Sequence, residues 1–435
     1  MNWLPLSRLL SAGRSPAHTV AFRDGTKLDM AGLRHDVQGA AYAIGPGEPA
    51  MLACRDSYNF VVGLLALLHA GRDIVLPANT QPGTLAGHPG PLIDDVWLAR
   101  PPGGLCPLEP FDPNRRQIVL FTSGSTGTPK ALPKTAGMLE REGAALHTAW
   151  SAMAGAGPVH ATVSHQHMYG LACKILWPLT AGIPFAAETH DVWETLLPAL
   201  TPGAVIVTSP AHLTRLGGLV PLTPDRRPNL ILTAGAPLPL TAAHDAATIF
   251  GRLPLEMFGS SETGAVATRR QEHGNEAWGP LPGSECRTDP DGCLSVRSPY
   301  TAGWQTTGDR AEMDGTGFRL LGRADDVLKI EGQRVTPFQV EQALLALPLV
   351  DAAAVILAPD SSGRLAAVVV PSTEAQAVLA AEGAFRFGRR LRRALAETLA
   401  PAVIPRRWRF VDTLPTRALG KRDAAALAAL FRPTS

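Results

Sequence analysis

The chain has little that would tie it to a disulfide scaffold, a membrane or a polyanion. Its five cysteines (Cys54, Cys106, Cys173, Cys286 and Cys293) form no C-x-x-C pair and leave an odd count, so neither a disulfide framework nor a zinc site is indicated. They read as small buried hydrophobes in a reducing compartment, the cytoplasm. Charge of one sign is also missing. The 40 Lys+Arg stand against 38 Asp+Glu, which gives no global field pointing to nucleic acid or a membrane surface. Long apolar runs are lacking too, and stretches such as Phe60 to His69 are too short to span a bilayer. The opening MNWLPLSRLLSAGR has no clean apolar core or cleavage site and reads as an ordinary N-terminal helix. What is present is 435 residues, 45% apolar and 18% charged, enough for a large core and more than one domain.

Short apolar runs ending in glycine-bearing turns recur along the chain. Val61 to Ala70 has helical spacing closed by Gly71, Ile74 to Leu76 reads as a strand stopped by Pro77, and residues 86 to 116 read as a loop. A helix is expected over Ala136 to Trp150. Strands at Ala204 to Val207, Leu230 to Leu232 and Leu255 to Phe258 each run into a polar turn. Strands alternating with helices predict an α/β sheet with ligands gathered at the strands' carboxyl ends. From about Asp326 the pattern changes to a smaller α+β unit, with a helix at Pro337 to Ala346, strands at Ala352 to Leu357 and Leu365 to Val370, and another strand near Arg409. The Ala/Arg-rich 375–398 stretch reads as an exposed amphipathic helix.

The chemistry centres on Phe121-Thr122-Ser123-Gly124-Ser125-Thr126-Gly127-Thr128-Pro129-Lys130, which follows the apolar run Ile118 to Phe121. Glycines let backbone N–H groups converge into an anion-holding nest, the hydroxyls add donors, and Lys130 adds a charge suited to phosphate oxygens. The spacing is not that of a P-loop, because Gly127 is followed by Thr-Pro-Lys rather than Lys-Ser/Thr. A Gly/Ser/Thr surface loop with a chance lysine is the competing reading.

FTSGSTGTPK resembles the signature of the adenylate-forming superfamily of acyl-CoA synthetases, peptide-synthetase adenylation domains and luciferases. Further segments resemble the family's motifs in the family's order. Phe258-Gly259-Ser260-Ser261-Glu262-Thr263-Gly264 is similar to its second nucleotide motif, with Phe and Ser where the family usually has Tyr and Thr. There Phe258 would face adenine, Ser261 would donate to the α-phosphate, and Glu262 would be a hard oxygen ligand for Mg²⁺. Ala234, Gly235 and Ala236, small residues after a strand, would leave room for a flat ring or an acyl chain beside the adenylate. In WQTTGD, Asp309 would hold the ribose hydroxyls; in GRADDVLKIEG, Arg323 would meet ribose or phosphate. Asp325 would be the hinge, and Lys329 and Gly332 would face the thiol tunnel. In LPTRALGK, Lys421 would be the adenylation lysine, bridging substrate carboxylate and α-phosphate. SHQHMYG resembles the acyl-pocket segment, where His167 would line the carboxylate end or be a satisfied structural histidine.

The resemblance implies a large multi-layer α/β N-terminal domain (1–324) and a small mobile α+β C-terminal domain (325–435). It implies ATP-dependent adenylation of a carboxylic acid and transfer to the pantetheine thiol of CoA or an acyl carrier protein. The absence of a carboxylate between Ser164 and Leu171 argues against an amino acid and leaves aryl, fatty or 3-hydroxy acids. The phrase PKALPKT resembles compact synthetase-like proteins of aryl-polyene pigment pathways. A non-thiol acceptor and a degenerate nucleotide-binding regulatory subunit are the alternatives; retention of Lys130, Glu262, Asp309, Arg323 and Lys421 opposes the latter.

Overall fold

The computed structural model describes residues 2–11, 13–77, 79–86, 90–100, 103–122, 130–274, 276–324, 328–330, 333–359, 364–416 and 422–432. Its larger N-terminal domain is built on three sheets. One has five strands in the order Leu92–Ile93, Ala50–Leu52, Ile74–Leu76, β1 (Gln117–Thr122), β2 (Lys130–Thr135). The first four are parallel, and β2 returns antiparallel to β1 along the edge, pairing Thr122 with Lys130. Helix α1 (Ala136–Ala154) leaves β2 directly, capped by the Thr135 hydroxyl, which accepts from the Met138 N–H.

The second sheet has nine strands. Its centre contains Val205–Thr208, β3 (Leu230–Thr233) and β4 (Leu255–Ser260), mutually parallel, and β5 (Gly264–Arg269) turns back antiparallel on β4. The Leu-Ile-Leu-Thr of β3 is buried throughout, as befits a strand covered on both faces. The main apolar cluster, which holds the Ser57–His69 helix and one face of α1, covers one side. A second cluster around Trp193, Leu213 and Phe250 covers the other. Parallel β3 and β4 bring their carboxyl ends, at Gly235 and Ser260, to one edge. A four-stranded antiparallel sheet ends in the hairpin β6 (Gln305–Asp314) and β7 (Gly317–Arg323).

The smaller C-terminal domain packs α2 (Pro337–Leu345) and α3 (Thr373–Leu395) around the sheet Val350–Leu357, Leu365–Pro371, Arg407–Phe410, with its own apolar cluster. Residues 325–327, where the sequence suggests a boundary, lie outside the described residues.

Three expectations need correction. The N-terminal segment forms a single turn, Leu6–Arg8, because Pro5 precedes it and Ser15-Pro16 soon follow. The 86–116 stretch is not wholly loop: it contains the Leu92–Ile93 strand and a helical turn, Asp95–Leu98, capped by Asp94. Of the five cysteines, all free, only Cys54 and Cys173 are buried. Gly71, at φ +78°, does end the helix it was expected to end.

Candidate active site

The site is built where β2 meets the β4–β5 turn. On β2, Lys130 and Lys134 stand four residues apart and so share a face. Both reach the same residue. Lys130 Nζ lies 3.1 Å from Glu262 Oε1, and Lys134 Nζ donates to the Glu262 backbone carbonyl at 3.2 Å. Lys130 is exposed and Lys134 is buried, so one lysine faces solvent while the other lies beneath. Partial burial favours protonation of Glu262, but its own backbone N–H and the Lys130 ammonium outweigh that and hold the carboxylate below its usual range.

The turn carrying Glu262 is locked from within. Ser260 N–H donates to the Thr263 hydroxyl at 3.0 Å, and Thr263 N–H donates to the Ser260 hydroxyl at 3.1 Å. Gly259 and Gly264 face each other so closely that a Cβ on Gly259 would lie 2.1 Å from the Gly264 carbonyl oxygen. Gly264 itself sits at φ +67°.

Beneath the turn is Glu142 of α1, which sequence reasoning missed. Its Oε1 accepts from Ala265 N–H at 2.9 Å, and its other carboxylate oxygen is buried without a hydrogen-bond partner. Burial, opposed by Lys134 and by the Ala265 N–H, pushes its carboxyl up to about 7. Lys134 is lowered by burial, opposed by Glu142 and Glu262. A signal was available: Glu142 stands between Leu139 and Leu146 on the helix's apolar stripe, where a charge is out of place.

Gly235 and Ala236 follow β3, and Phe258, Gly259 and Ser260 end β4, so these expected nucleotide residues share the carboxyl edge with Ser261 and Glu262. Phe258 is half-buried, with Trp278 at 5.6 Å and Phe318 of β7 at 5.4 Å between ring centroids. That contact joins the turn to the hairpin holding Asp309 and Arg323, which are cross-strand partners with a 3.7 Å ion pair. His167 is half-buried. His165 of the same segment is a satisfied structural histidine: its Nε2 donates to the Cys54 carbonyl at 2.9 Å, and its Nδ1 accepts from Ser57 Oγ at 3.0 Å. Burial lowers its pKa to about 3.

Thr122 ends β1, with only its backbone described, and Lys329 lies on the Leu328–Ile330 strand in the same way. Ser123, Gly124, Ser125, Thr126, Gly127, Asp325, Gly332 and Lys421 lie outside the described residues. Arg422, next to Lys421, is described and pairs with buried Glu341 of α2.

The arrangement suits Mg²⁺, which keeps several waters and takes one or two carboxylates plus phosphate oxygens. Glu262 offers an ionised, partly exposed oxygen pair, and no group of three or more His, Cys, Asp or Glu among the described residues makes a closed cage. No helix among the described residues is long and apolar enough to cross a membrane.

Residues 90–292 match the family model described as AMP-binding enzyme, and residues 339–421 match its C-terminal domain model. A 4-coumarate–CoA ligase of Rhodobacter capsulatus is 32% identical, covering 70% of this chain and 74% of its own. The chain belongs to the AMP-binding enzyme family. Another relative of this AMP-binding enzyme is a Xenopus laevis mitochondrial malonate–CoA ligase, 25% identical over 92% of this chain and 78% of its own. A third is a 3-hydroxybenzoate–CoA ligase of an Aromatoleum species, 27% identical over 79% of this chain and 71% of its own. The ATP-bound structure of MatB from Rhodopseudomonas palustris superposes with a TM-score of 0.80 at 20% identity, covering 99% and 100% of the two chains. That likeness is one of fold.

Proposed function

We propose that this AMP-binding enzyme is an ATP-dependent acid–thiol ligase that activates an aryl carboxylic acid and passes it to CoA. The observation carrying the reading is the Lys130–Glu262 contact of 3.1 Å, which joins the end of the glycine-rich loop to the FGSSETG turn. The coumarate and hydroxybenzoate ligases among its relatives support an aryl acid.

In the first step a carboxylate oxygen of the acid attacks the α-phosphorus of ATP. The new P–O bond forms as the bond to the α–β bridging oxygen breaks, giving acyl-AMP and pyrophosphate. Lys130 and the 122–127 loop hold the phosphates, Ser261 donates to the α-phosphate, and Lys421 bridges the two reacting groups. Gly235, Ala236 and Phe258 flank the adenine, while Asp309 accepts from the ribose hydroxyls beside Arg323. Mg²⁺, when bound, neutralises charge building on the phosphate oxygens, and Glu262 would hold it. In the second step the thiol sulfur attacks the acyl carbon; the C–S bond forms, the C–O bond to AMP breaks, and the thiol proton leaves to solvent. A rotation about Asp325 between the steps would withdraw Lys421 and present the Lys329–Gly332 face, with the domain boundary at 324/325.

A carrier protein as thiol donor is the second reading, favoured by the exposed arginines Arg386, Arg389, Arg390, Arg392 and Arg393 on α3. Thioester formation with CoA and with holo carrier protein, across aryl, fatty, 3-hydroxy and malonic acids, tests both. Aryl-CoA as the preferred product supports the first reading. Carrier loading that fails on reversing the α3 charges would replace it with the second. Amide or ester formation alone would overturn both.

A further inference from the structure

We infer that Lys134 and Glu142 are positioning residues for adenylation: two buried side chains that brace the 260–265 turn from below, Lys134 at the Glu262 carbonyl and Glu142 at the Ala265 N–H, and so fix Glu262 against Lys130. This rests on the adenylation reading above, but its observations are separate. Lys134 grips the main chain of Glu262 while Lys130 meets its side chain, so the residue is held at two points from one strand face. Glu142 is 2% exposed and holds the next element through the Ala265 N–H. A Cβ on Gly264 would lie 2.8 Å from Glu142 Oε1 and 2.9 Å from Oε2, so the carboxylate can approach only because Gly264 has none. A carboxylate oxygen buried without a hydrogen-bond partner is costly, and the Lys134 charge offsets that cost. The other groups facing Glu142 are Cys173, and Tyr300, whose hydroxyl donates to the Ala265 carbonyl. Neither supplies a positive charge. The function of the pair is therefore geometric. One unbroken segment, β2 into α1, carries Lys130, Lys134 and Glu142, and it ties the end of the phosphate loop to the turn bearing the metal ligand.

The test uses the full chain with Lys134→Met, and with Glu142→Gln, which keeps an acceptor for Ala265 N–H while removing the charge. Three quantities are read: the Mg²⁺ concentration giving half-maximal acid-dependent pyrophosphate release, the same half-saturation for binding of a fluorescent ATP analogue, and hydrogen exchange over residues 258–266. The expected result is a rise of about tenfold or more in both Mg²⁺ half-saturations, the size usual for removing a residue that orients a metal ligand. Exchange over 258–266 should quicken, with protection elsewhere unchanged. Rates that fall in proportion to protein unfolded, with Mg²⁺ curves and local exchange like wild type, would overturn the brace. If wild type binds the analogue but releases no pyrophosphate, the adenylation reading fails. The binding curves and exchange then still decide whether the pair braces the turn.

Discussion

Gly264 shows how one missing Cβ reaches the chemistry. It holds φ +67°, and its bare Cα lets Glu142 approach the turn that carries Glu262. Gly264→Ala should therefore cost about 1–3 kcal/mol of stability from backbone strain alone. It should also reduce pyrophosphate release by more than the unfolded fraction explains. Urea unfolding paired with activity on the same samples checks this. Lys130 and Glu262 stood out in the sequence because they sit inside motifs whose residue types suit phosphate and metal, and the structure brings the two side chains together. Among 40 basic and 38 acidic residues Lys134 is set apart only by burial and the shared turn, and Glu142 only by its place on the apolar stripe of α1. Spacing in SHQHMYG also gave no sign that His165 is held by the core, which its Ser57 and Cys54 contacts show.

At the level of elements, periodicity placed strands and helices well wherever one face is buried. The Ile74–Leu76 strand and the start of the Pro337 helix agree to the residue, and the 375–398 helix is observed as Thr373–Leu395. Its kink at Gly383, φ +77°, lay within the pattern unnoticed, since an exposed glycine in an Ala/Arg-rich run carries no apolar signal. The short elements within 86–116 were missed because two to four residues set no period. One residue past Lys421, Arg422 pairs with Glu341, itself 1% exposed and accepting from Val355 N–H at 2.7 Å. Removing a partner from a fully buried pair costs about 3–5 kcal/mol; with Arg422 partly exposed, Arg422→Ala should cost about 1–2 kcal/mol. It should slow the first half-reaction more than nucleotide binding, by loosening the segment that presents Lys421. Burst kinetics alongside ATP titration would separate the two effects.

Across the whole molecule, buried histidines set the response to acid. Burial lowers His69 and His160 to about 4 and His165 to about 3, from an ordinary 6.5. Between those values the unfolded chain binds protons that the folded chain does not, so stability falls as pH drops from about 6.5 toward 4. Glu142, raised to about 7 from 4.5, acts in the opposite direction, as do Glu256 and Asp351, also raised. His18, His190 and His212 are lowered like the three above, six histidines against three carboxylates. The net expectation is a melting midpoint that declines on acidification through this window, and thermal unfolding at stepped pH checks it. Lys174, lowered by burial to about 7, adds stability that grows from pH 7 toward 10.5.

The order of motifs along the chain made the α/β architecture and the family legible from sequence. The identity of the acid was not, because the motifs suit the shared nucleotide chemistry and carry no comparable signature for the acyl group. Whether this chain joins a carboxylic acid to the α-phosphate of ATP is read from acid-dependent pyrophosphate release from Mg-ATP, with no acceptor present, in wild type and Lys421→Ala. Release should occur with an aryl acid and fall about 10²–10³-fold in the variant while ATP binding persists. Release that ignores the acid, or that Lys421→Ala leaves intact, would show that the chain does not adenylate an acid in this way.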